Sequence, residues 1–490
     1  MKKINRCILV TIDCWRFDRL KVFGNNKNIM PNLDNITKES VIFKNMISNS
    51  SNTAPSFYAI FMSKIPVIDG DYTPLPKDKE SLPKIIEGEG IKTCGIHSNP
   101  HLGRITHYNE GFDEFYDLFE NHNSKSLRKS VIRSIYHFFE ILELEKIILY
   151  TQKFIWKLIR NLFRKTITSD KKFKSPYANA ETVASKAINW LSKNYKQSFF
   201  LWLHFMDAHR PYFPPDEFIG KVAELSISDK KKKFLHKWGN NFKPFLDLPK
   251  DFNKEYEVLT ESLYNAELNY IDYNLGLLKS FLKKKKIYEQ CSLILTADHG
   301  EALFEHDNLG HQISLYDELL RIPFILKLPN FKSKFKSQII FDELVESIDI
   351  APTILELLKI PKHKSFNGQN LLKLIKSDDF NEKDFIFSAL LHNKNNVYSF
   401  IRKKDVPYYV MISCRTKKWK LIFDEELNHY ELFNLLEDPS ESTNLYHVQK
   451  PDLNLIKELL KNLIRKEIES YNSETKKISR IISLHKINGR

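Results

Sequence analysis

The chain has 490 residues, of which 42% are hydrophobic and 28% are charged, and this composition excludes disordered and fibrous proteins. Its length allows about two or three domains with a large buried core. The 75 Lys and Arg residues outnumber the 61 Asp and Glu residues, so the net charge is +14. We therefore expect an anionic partner, either a small molecule, glycan or lipid head group or an acidic membrane surface. No nucleic-acid recognition motif accompanies the charge, so no nucleic acid is expected.

The cysteines and the N-terminus indicate the compartment. Five cysteines are scattered along the chain and never form a C-x-x-C pair, which argues against a disulfide framework or a structural zinc site. The first apolar run, residues 7–12, is too short for a signal-peptide core or a membrane span. These features predict a cytoplasmic enzyme.

The pattern of apolar residues predicts an α/β fold. Short runs without charges are typical of buried parallel strands, and they occur at residues 7–12, 199–203, 292–296 and 322–326. Helical periodicity lies between them, at residues 33–40, 82–89, 178–193 and 262–283. The alternation predicts a sheet flanked by helices, with ligands bound at the carboxyl ends of the strands.

Two basic segments interrupt this pattern. Residues 124–174 contain a basic amphipathic stretch, which is either a helical hairpin packed on its own domain, the favoured interpretation, or a surface that lies on an anionic membrane. Residues 221–252 are predicted to form a basic loop near the substrate side. We predict a catalytic domain at 1–368 and a smaller domain at 369–490 that ends in a charged helix from Pro451.

Polar residues follow three of the predicted strands. Asp13 follows the first, Asp207 and His209 the second, and Asp298 and His299 the third. Because such strand ends meet at one edge of a parallel sheet, they predict an active site. The adjacent Asp298 and His299, followed by Gly-Glu and two further histidines, are typical of a compact metal-ligand pair.

Thr53 precedes a predicted apolar helix in the run Ser51-Asn-Thr-Ala-Pro-Ser-Phe57. A hydroxyl at a helix N-terminus is close to free N–H groups that favour an anion, and a neighbouring cation would lower its pKa. Taken alone, the segment is more typical of ordinary helix capping.

Together these motifs resemble the sulfatase family of the alkaline phosphatase superfamily, over most of the chain. The matching segments are Asp13, Thr53 to Ser56, His204 to Tyr212, Asp298 to Glu301, Ser347 to Leu355, Trp419 to Ile422, and Glu431 to Leu445. The resemblance implies a sulfatase-like sandwich with a mainly parallel central sheet flanked by helices, and a smaller C-terminal α+β domain. It implies a metal-dependent ester hydrolase or phosphotransferase.

Four positions depart from the family pattern. Cys14 stands where the family has a second aspartate, and Phe57 stands where it has an arginine. His299 stands where asparagine is frequent, and the nitrogen ligand favours manganese or zinc over calcium and magnesium. Thr53 cannot be oxidised to the formylglycine that sulfatases make from Cys or Ser. A threonine ester must be resolved by a second attack at the central atom, which phosphorus tolerates, so phosphate esters are predicted over sulfate esters.

The resemblance also implies roles for individual residues. Asp13, Thr53, Asp298 and His299 would hold one divalent cation, and Thr53 would be the nucleophile. His209 or His311 would protonate the leaving alcohol. The substrate-binding candidates are His204, Asp207, Arg210 and His306. Alternatively, Asp207, His209 and His311 would hold a second metal. Two other functions remain open, an unconventional sulfuric ester hydrolase and a degenerate, non-catalytic binder of an anionic glycan or lipid.

Overall fold

The structure is a computed structural model, which describes residues 4–66, 74–119, 177–222, 254–311, 314–376, 380–392 and 409–487, together with Ser175, Ser228 and Lys231. The strands of these residues are β1 (Arg6–Ile12), β2 (Val41–Ile47), β3 (Lys92–His97), β4 (Glu114–Asp117), β5 (Phe199–Phe205), β6 (Cys291–Ala297), β7 (Ala302–Leu303), β8 (Leu309–Gly310), β9 (Arg321–Lys327), β10 (Ile339–Glu346), β11 (Ile386–His392), β12 (Tyr409–Arg415), β13 (Trp419–Asp424) and β14 (His429–Asn434).

The helices are α1 (Pro31–Thr37), α2 (Thr53–Met62), α3 (Leu82–Gly88), α4 (Ala180–Asn194), α5 (Asp216–Val222), α6 (Lys254–Lys284), α7 (Asp317–Leu320), α8 (Phe331–Lys334), α9 (Ile350–Leu358), α10 (Leu372–Lys376) and α11 (Pro451–Ile487). Four of them, α1, α3, α4 and α6, correspond to the helices predicted from periodicity. In α4 the buried side chains recur every three or four positions, so one apolar face packs against the sheet. The charged helix predicted from Pro451 is α11.

Eight strands form the central sheet in the order β10-β2-β9-β6-β1-β5-β3-β4. Its middle strands β1, β5 and β6 are parallel and buried along their whole length, which explains why their sequences are uninterrupted apolar runs. The strand predicted at residues 322–326 is present as β9, but it runs antiparallel to β6 and β2. Its apolar run indicates burial and carries no information on strand direction.

The register of the middle strands determines where polar residues emerge. Ile12, the last residue of β1, pairs with Phe205 of β5 and with Ala297 of β6. The residue that follows each strand therefore lies at the same level of the sheet edge. The Asp13 backbone N–H continues the ladder by donating to the Phe205 carbonyl oxygen at 2.9 Å.

A second, antiparallel sheet has the order β11-β12-β13-β14, and α11 packs on β12 and β13. One apolar cluster joins this sheet to the region around β2 and β10, and it contains Ile47, Leu315, Leu320, Leu344, Ile386, Leu390, Met411, Ile422, Phe433 and Leu435. The predicted fold class, a mainly parallel sheet flanked by helices with a smaller C-terminal unit, is confirmed. The exact boundary at 368/369 stays a prediction.

Both basic segments fall largely outside the described part of the chain. The insertion predicted at residues 124–174, with its membrane-facing alternative, lies wholly outside it, and so does most of the loop at 221–252. Within the described residues, no helix combines the length and the apolar character needed to cross a bilayer.

A polar network attaches the β7–β8 hairpin to the second sheet. His306, between the two strands of the hairpin, contacts Glu318 Oε1 through Nδ1 at 3.0 Å and the Glu441 carbonyl oxygen through Nε2 at 3.1 Å. Both partners are acceptors, so both ring nitrogens donate. Lys420 of β13 pairs with Asp317 and Glu441 at 2.9 and 2.8 Å. The structure therefore uses His306 to join two parts of the fold.

This network makes stability depend on pH. Burial lowers the pKa of His306, but the Glu318 hydrogen bond and charge outweigh it and raise the pKa to about 9. Because the folded pKa lies above the unfolded value of 6.5, the stabilisation is complete below pH 6.5 and is lost as pH rises through about 9.

We therefore expect His306→Gln to lower the free energy of unfolding by about 2 kcal/mol at low pH, the usual cost of losing hydrogen bonds from a charged group. Urea unfolding of both proteins between about pH 6 and pH 10 would measure the difference, which should shrink as the pH rises. His429→Gln, at an exposed position of β14, is the control. A difference that does not change with pH would contradict the assignment of a charged His306.

Candidate active site

The Asp13 carboxylate lies at the centre of the candidate site and is fully buried. His204 Nε2 lies 3.3 Å and Thr53 Oγ1 lies 3.4 Å from Asp13 Oδ2. His299 Nε2 lies 3.8 Å from Asp13 Oδ1. The end of β5, the residue after β6 and the start of α2 thus meet at the carboxylate that follows β1, and the structure brings Asp13, Thr53 and His299 together as the sequence predicts.

Thr53 is the first residue of α2 and is nearly buried. The preceding residue, Asn52, makes no side-chain capping hydrogen bond to the helix. Thr53 Oγ1 instead lies 3.3 Å from His299 Nε2 and faces Asp13. The Phe57 ring lies one turn further on and packs edge-on against the aromatic side chains beneath the site, with its centroid 5.2 Å from that of Trp202. The arginine expected here in the family is thus replaced by part of the apolar core.

The tight turn after β6 directs His299 into the site. Its Nδ1 lies 2.9 Å from the Gly300 carbonyl oxygen and must donate to it, and its Nε2 faces Thr53. Gly300 packs against α7, where a Cβ would lie 2.0 Å from the Glu318 carbonyl oxygen. Glycine is required at this position because any side chain would collide with that backbone.

The site has the donor set of a cation site. Asp13, His204 and Asp298 each contribute an atom within 4.8 Å of the others, and so do Asp13, Cys14 and His299. Among the described residues, Asp298 Oδ2 is buried without a hydrogen-bond partner. An orphaned carboxylate oxygen facing other ligand atoms is the feature that a bound cation would satisfy.

The two carboxylates differ in their electrostatics. Burial alone would raise the pKa of Asp13, but the His204 hydrogen bond and the nearby imidazoles hold the pKa well below its usual range. Burial and then the charge of Asp13 raise the pKa of Asp298 to about 8. Two neighbouring buried carboxylates repel each other when both are charged, and a divalent cation would remove this conflict. The residues present therefore fit the metal that the family implies.

A second group of side chains lies beside the first. Cys14 Sγ is 3.3 Å from His311 Nδ1, and the rings of His209 and His311 have centroids 4.9 Å apart. His311 Nδ1 also lies 2.9 Å from Glu301 Oε2, a fully buried carboxylate whose pKa is raised by burial but lowered overall by His311. Burial lowers the pKa of His209 to about 4 despite the charge of Asp13.

The remaining candidates lie in different places. Arg210 is buried next to Gly310, where a Cβ would be 3.4 Å from the guanidinium, and it lies near Glu301. Asp207 Oδ1 accepts from the Ala180 backbone N–H at 2.8 Å, and burial raises the pKa of this carboxyl to about 7. The structure thus places Asp207 at the start of α4 and outside the groups of ligand atoms. His306 lies in the hairpin network described above, with both ring nitrogens engaged there.

Asn99 is a residue that the sequence analysis missed. Its Nδ2 donates to Asp13 Oδ2 at 3.0 Å. Asn99 follows β3, which neighbours β5 in the sheet, so it reaches the same edge as the other strand ends. The signal was present as a polar residue after a strand, but β3 is too short and too mixed in composition to be predicted from its apolar residues.

Comparisons with known proteins concern the family and the fold. The family model described as Sulfatase matches residues 6–360, and the model described as N-sulphoglucosamine sulphohydrolase, C-terminal, matches residues 305–469. The chain is similar to an arylsulfatase of Clostridium perfringens, with 24% identity over 294 residues that cover 59% of this chain and 57% of the relative. The chain therefore spans little more than half the length of that curated relative.

Solved structures share the fold. The phosphonate monoester hydrolase of Agrobacterium radiobacter aligns with a TM-score of 0.66 and 15% identity, over 95% of this chain and 96% of that one. A structure in complex with its substrate D-glucosamine-2-N,6-O-disulfate aligns with a TM-score of 0.65 and 16% identity, over 96% of this chain and 99% of that one. At these identities the likeness concerns the fold alone. Since the first family model covers well over half of the chain, this protein belongs to the sulfatase family of the alkaline phosphatase superfamily.

Proposed function

We propose that this protein is a metal-dependent hydrolase or transferase that acts on phosphate esters through Thr53. The observation that carries the proposal is the position of Thr53 Oγ1, which lies at the start of α2 and within 3.4 Å of both Asp13 Oδ2 and His299 Nε2. A hydroxyl held against ligand-type atoms at a helix N-terminus is suited to attack an anionic ester.

Asp13, Asp298, His299 and Thr53 would hold the cation, for which manganese or zinc is favoured because His299 supplies nitrogen. When bound, the cation would lower the pKa of the Thr53 hydroxyl and polarise an oxygen of the substrate. His204 and Asn99 act on the site through Asp13, since both hydrogen-bond to its Oδ2. These contacts fix the orientation of the carboxylate before any substrate binds.

Thr53 determines which ester is favoured. The Thr53 hydroxyl loses its proton to solvent as its oxygen forms a bond to phosphorus and the bond to the leaving oxygen breaks, and the protonated ring of His311 or His209 gives a proton to that leaving oxygen. His311 is the better placed donor because Glu301 Oε2 holds its other nitrogen at 2.9 Å. Water, or an acceptor hydroxyl, then attacks phosphorus, and the bond to Thr53 breaks. A phosphothreonine allows this second displacement, whereas the formylglycine route to sulfate release needs an aldehyde that threonine does not form.

The substrate is expected to be anionic. The net charge of +14 and the buried guanidinium of Arg210 beside the site favour a phosphorylated or sulfated ligand. One structure of the same fold contains a disulfated glucosamine. We extend this to the present chain as a proposal for an anionic sugar or lipid head group. The second candidate function, sulfate ester hydrolysis, is favoured by the sulfatase relatives, and the non-catalytic alternative is separated from both by turnover of an aryl ester.

We expect Asp298→Asn to abolish both metal retention and activity while leaving the fold intact, because the amide keeps the shape of the side chain but loses its charge. Metal analysis of the purified protein and turnover of an aryl phosphodiester would measure the two effects, and far-ultraviolet circular dichroism would verify the fold. Asp342→Asn, at an exposed position of β10, is the matched control. Full activity of Asp298→Asn in the presence of metal would remove this residue from the site.

We expect Thr53→Ala to lose activity by at least about a thousandfold, the order of loss that follows removal of a nucleophile. Thr53→Ser should keep part of the activity, because a primary hydroxyl makes the same attack without the methyl group that fixes the threonine rotamer. Thr182→Ala, at an exposed threonine of α4, should behave as wild type.

Paired aryl sulfate and aryl phosphodiester substrates, followed by mass spectrometry of a trapped adduct, test the chemistry directly. The phosphodiester should react faster, and the adduct should map to Thr53. Faster release of sulfate, or an adduct on a different residue, would overturn the phosphate-ester proposal in favour of an unconventional sulfatase.

A further inference from the structure

Cys14 lies where two groups of potential ligands meet. Its side chain is fully buried, and its Sγ lies 3.0 Å from Asp13 Oδ1 and 3.3 Å from His311 Nδ1. The residue adopts a left-handed backbone conformation with φ of 61°, which is unfavourable for a side chain other than glycine or asparagine. The hydroxyl of Tyr264, on α6, donates to the Cys14 carbonyl oxygen at 2.8 Å and stabilises this conformation. The fold therefore maintains a strained turn that directs a thiol into the site.

The two histidines beside Cys14 have defined tautomers. His209 Nδ1 lies 2.6 Å from the Arg210 carbonyl oxygen and can only donate to it. His311 Nδ1 lies 2.9 Å from the buried Glu301 carboxylate and donates to that oxygen. In the neutral form of each ring, Nε2 then carries the lone pair, and in the protonated form it carries the proton that the acid role needs. A histidine held through Nδ1 by a carboxylate or a carbonyl group is the usual arrangement of a metal-bound imidazole.

These three side chains form a group of their own. Cys14, His209 and His311 each contribute an atom within 4.8 Å of the others. One thiolate and two imidazoles make a ligand set for a borderline-soft cation such as zinc, whereas calcium and magnesium prefer oxygen. Three protein ligands also leave a fourth position open, as in catalytic zinc sites.

We propose that Cys14, His209 and His311 form a second cation site, selective for zinc, beside the site of Asp13, Asp298 and His299. The Cys14 thiol releases its proton to solvent as the sulfur–metal bond forms, so binding is accompanied by the release of one proton. Glu301 is the positioning residue that holds His311. The aspartate predicted to complete a second site, Asp207, is not needed, because Cys14 supplies the third ligand.

This inference goes beyond the proposed function and does not depend on it. With the second site filled, His209 and His311 are ligands, and neither is available to protonate the leaving oxygen. With the site empty, the acid role of His311 stands. Metal content and a thiolate signal report on the second site without any measurement of turnover.

Cobalt(II) is a suitable probe, because a bound thiolate gives a charge-transfer band that oxygen and nitrogen ligands do not give. We expect the protein loaded with cobalt to show this band and to bind two cations per chain. His209→Ala should lose the band and one of the two cations. Asp298→Asn should lose the other cation and keep the band. Cys14→Ser should lose the band, and Cys291→Ser, at a buried cysteine on β6, should change neither quantity.

Two results would overturn the proposal. One is cobalt binding without a thiolate band in the wild-type protein. The other is a band that disappears in Asp298→Asn and persists in His209→Ala, because Cys14 would then be a ligand of the first cation only. Circular dichroism of each variant, and proton release measured during zinc titration, keep the test valid if one substitution reduces folding.

Discussion

The site depends on one buried charge, the carboxylate of Asp13. A carboxylate without contact to water is costly unless several donors or cations compensate it. Here the compensating side chains come from different parts of the chain. His204 lies near the end of β5, Asn99 lies just after β3, and His299 lies just after β6. The sheet brings these segments to one level through the register of its parallel strands. The positions of the surrounding side chains can therefore be understood as the environment that this carboxylate requires.

Part of this arrangement could be predicted from the sequence. Uninterrupted apolar runs identified β1, β5 and β6, and parallel strands with polar residues at their ends placed Asp13 and Asp298 together. The same argument did not reveal Asn99, because its strand is short and carries a lysine, a threonine and a histidine. The pattern of apolar residues also does not indicate the direction of a strand. The run at 322–326 was therefore expected to be parallel, but it is antiparallel.

Other errors came from treating proximity in sequence as proximity in space. His306 lies five residues before His311, yet the hairpin turns its ring towards Glu318 and Glu441. Asp207 lies two residues before His209, yet its carboxylate receives a backbone N–H at the start of α4. Side-chain direction in irregular segments follows from local dihedral angles and from tertiary partners, and neither is visible in the order of residues. The contact between Cys14 and His311 was hidden for the same reason.

The hairpin that carries His306 has a consequence for how the two sheets can vary. The strand β8 ends at Gly310, so His311 is the first residue after the hairpin. At the tip of the hairpin, His306 donates a hydrogen bond to the carbonyl oxygen of Glu441, in the loop after β14. The position of His311, a candidate site residue, thus depends on the C-terminal sheet as well as on the central one. We therefore expect an exchange of the C-terminal sheet for that of a relative to alter the position of His311, although the contacts of Asp13 described above come from Thr53, Asn99 and His204, outside that sheet. The loop that carries the buried Glu441 and the hairpin that leads to His311 are therefore coupled, and a change in the first is expected to shift the second.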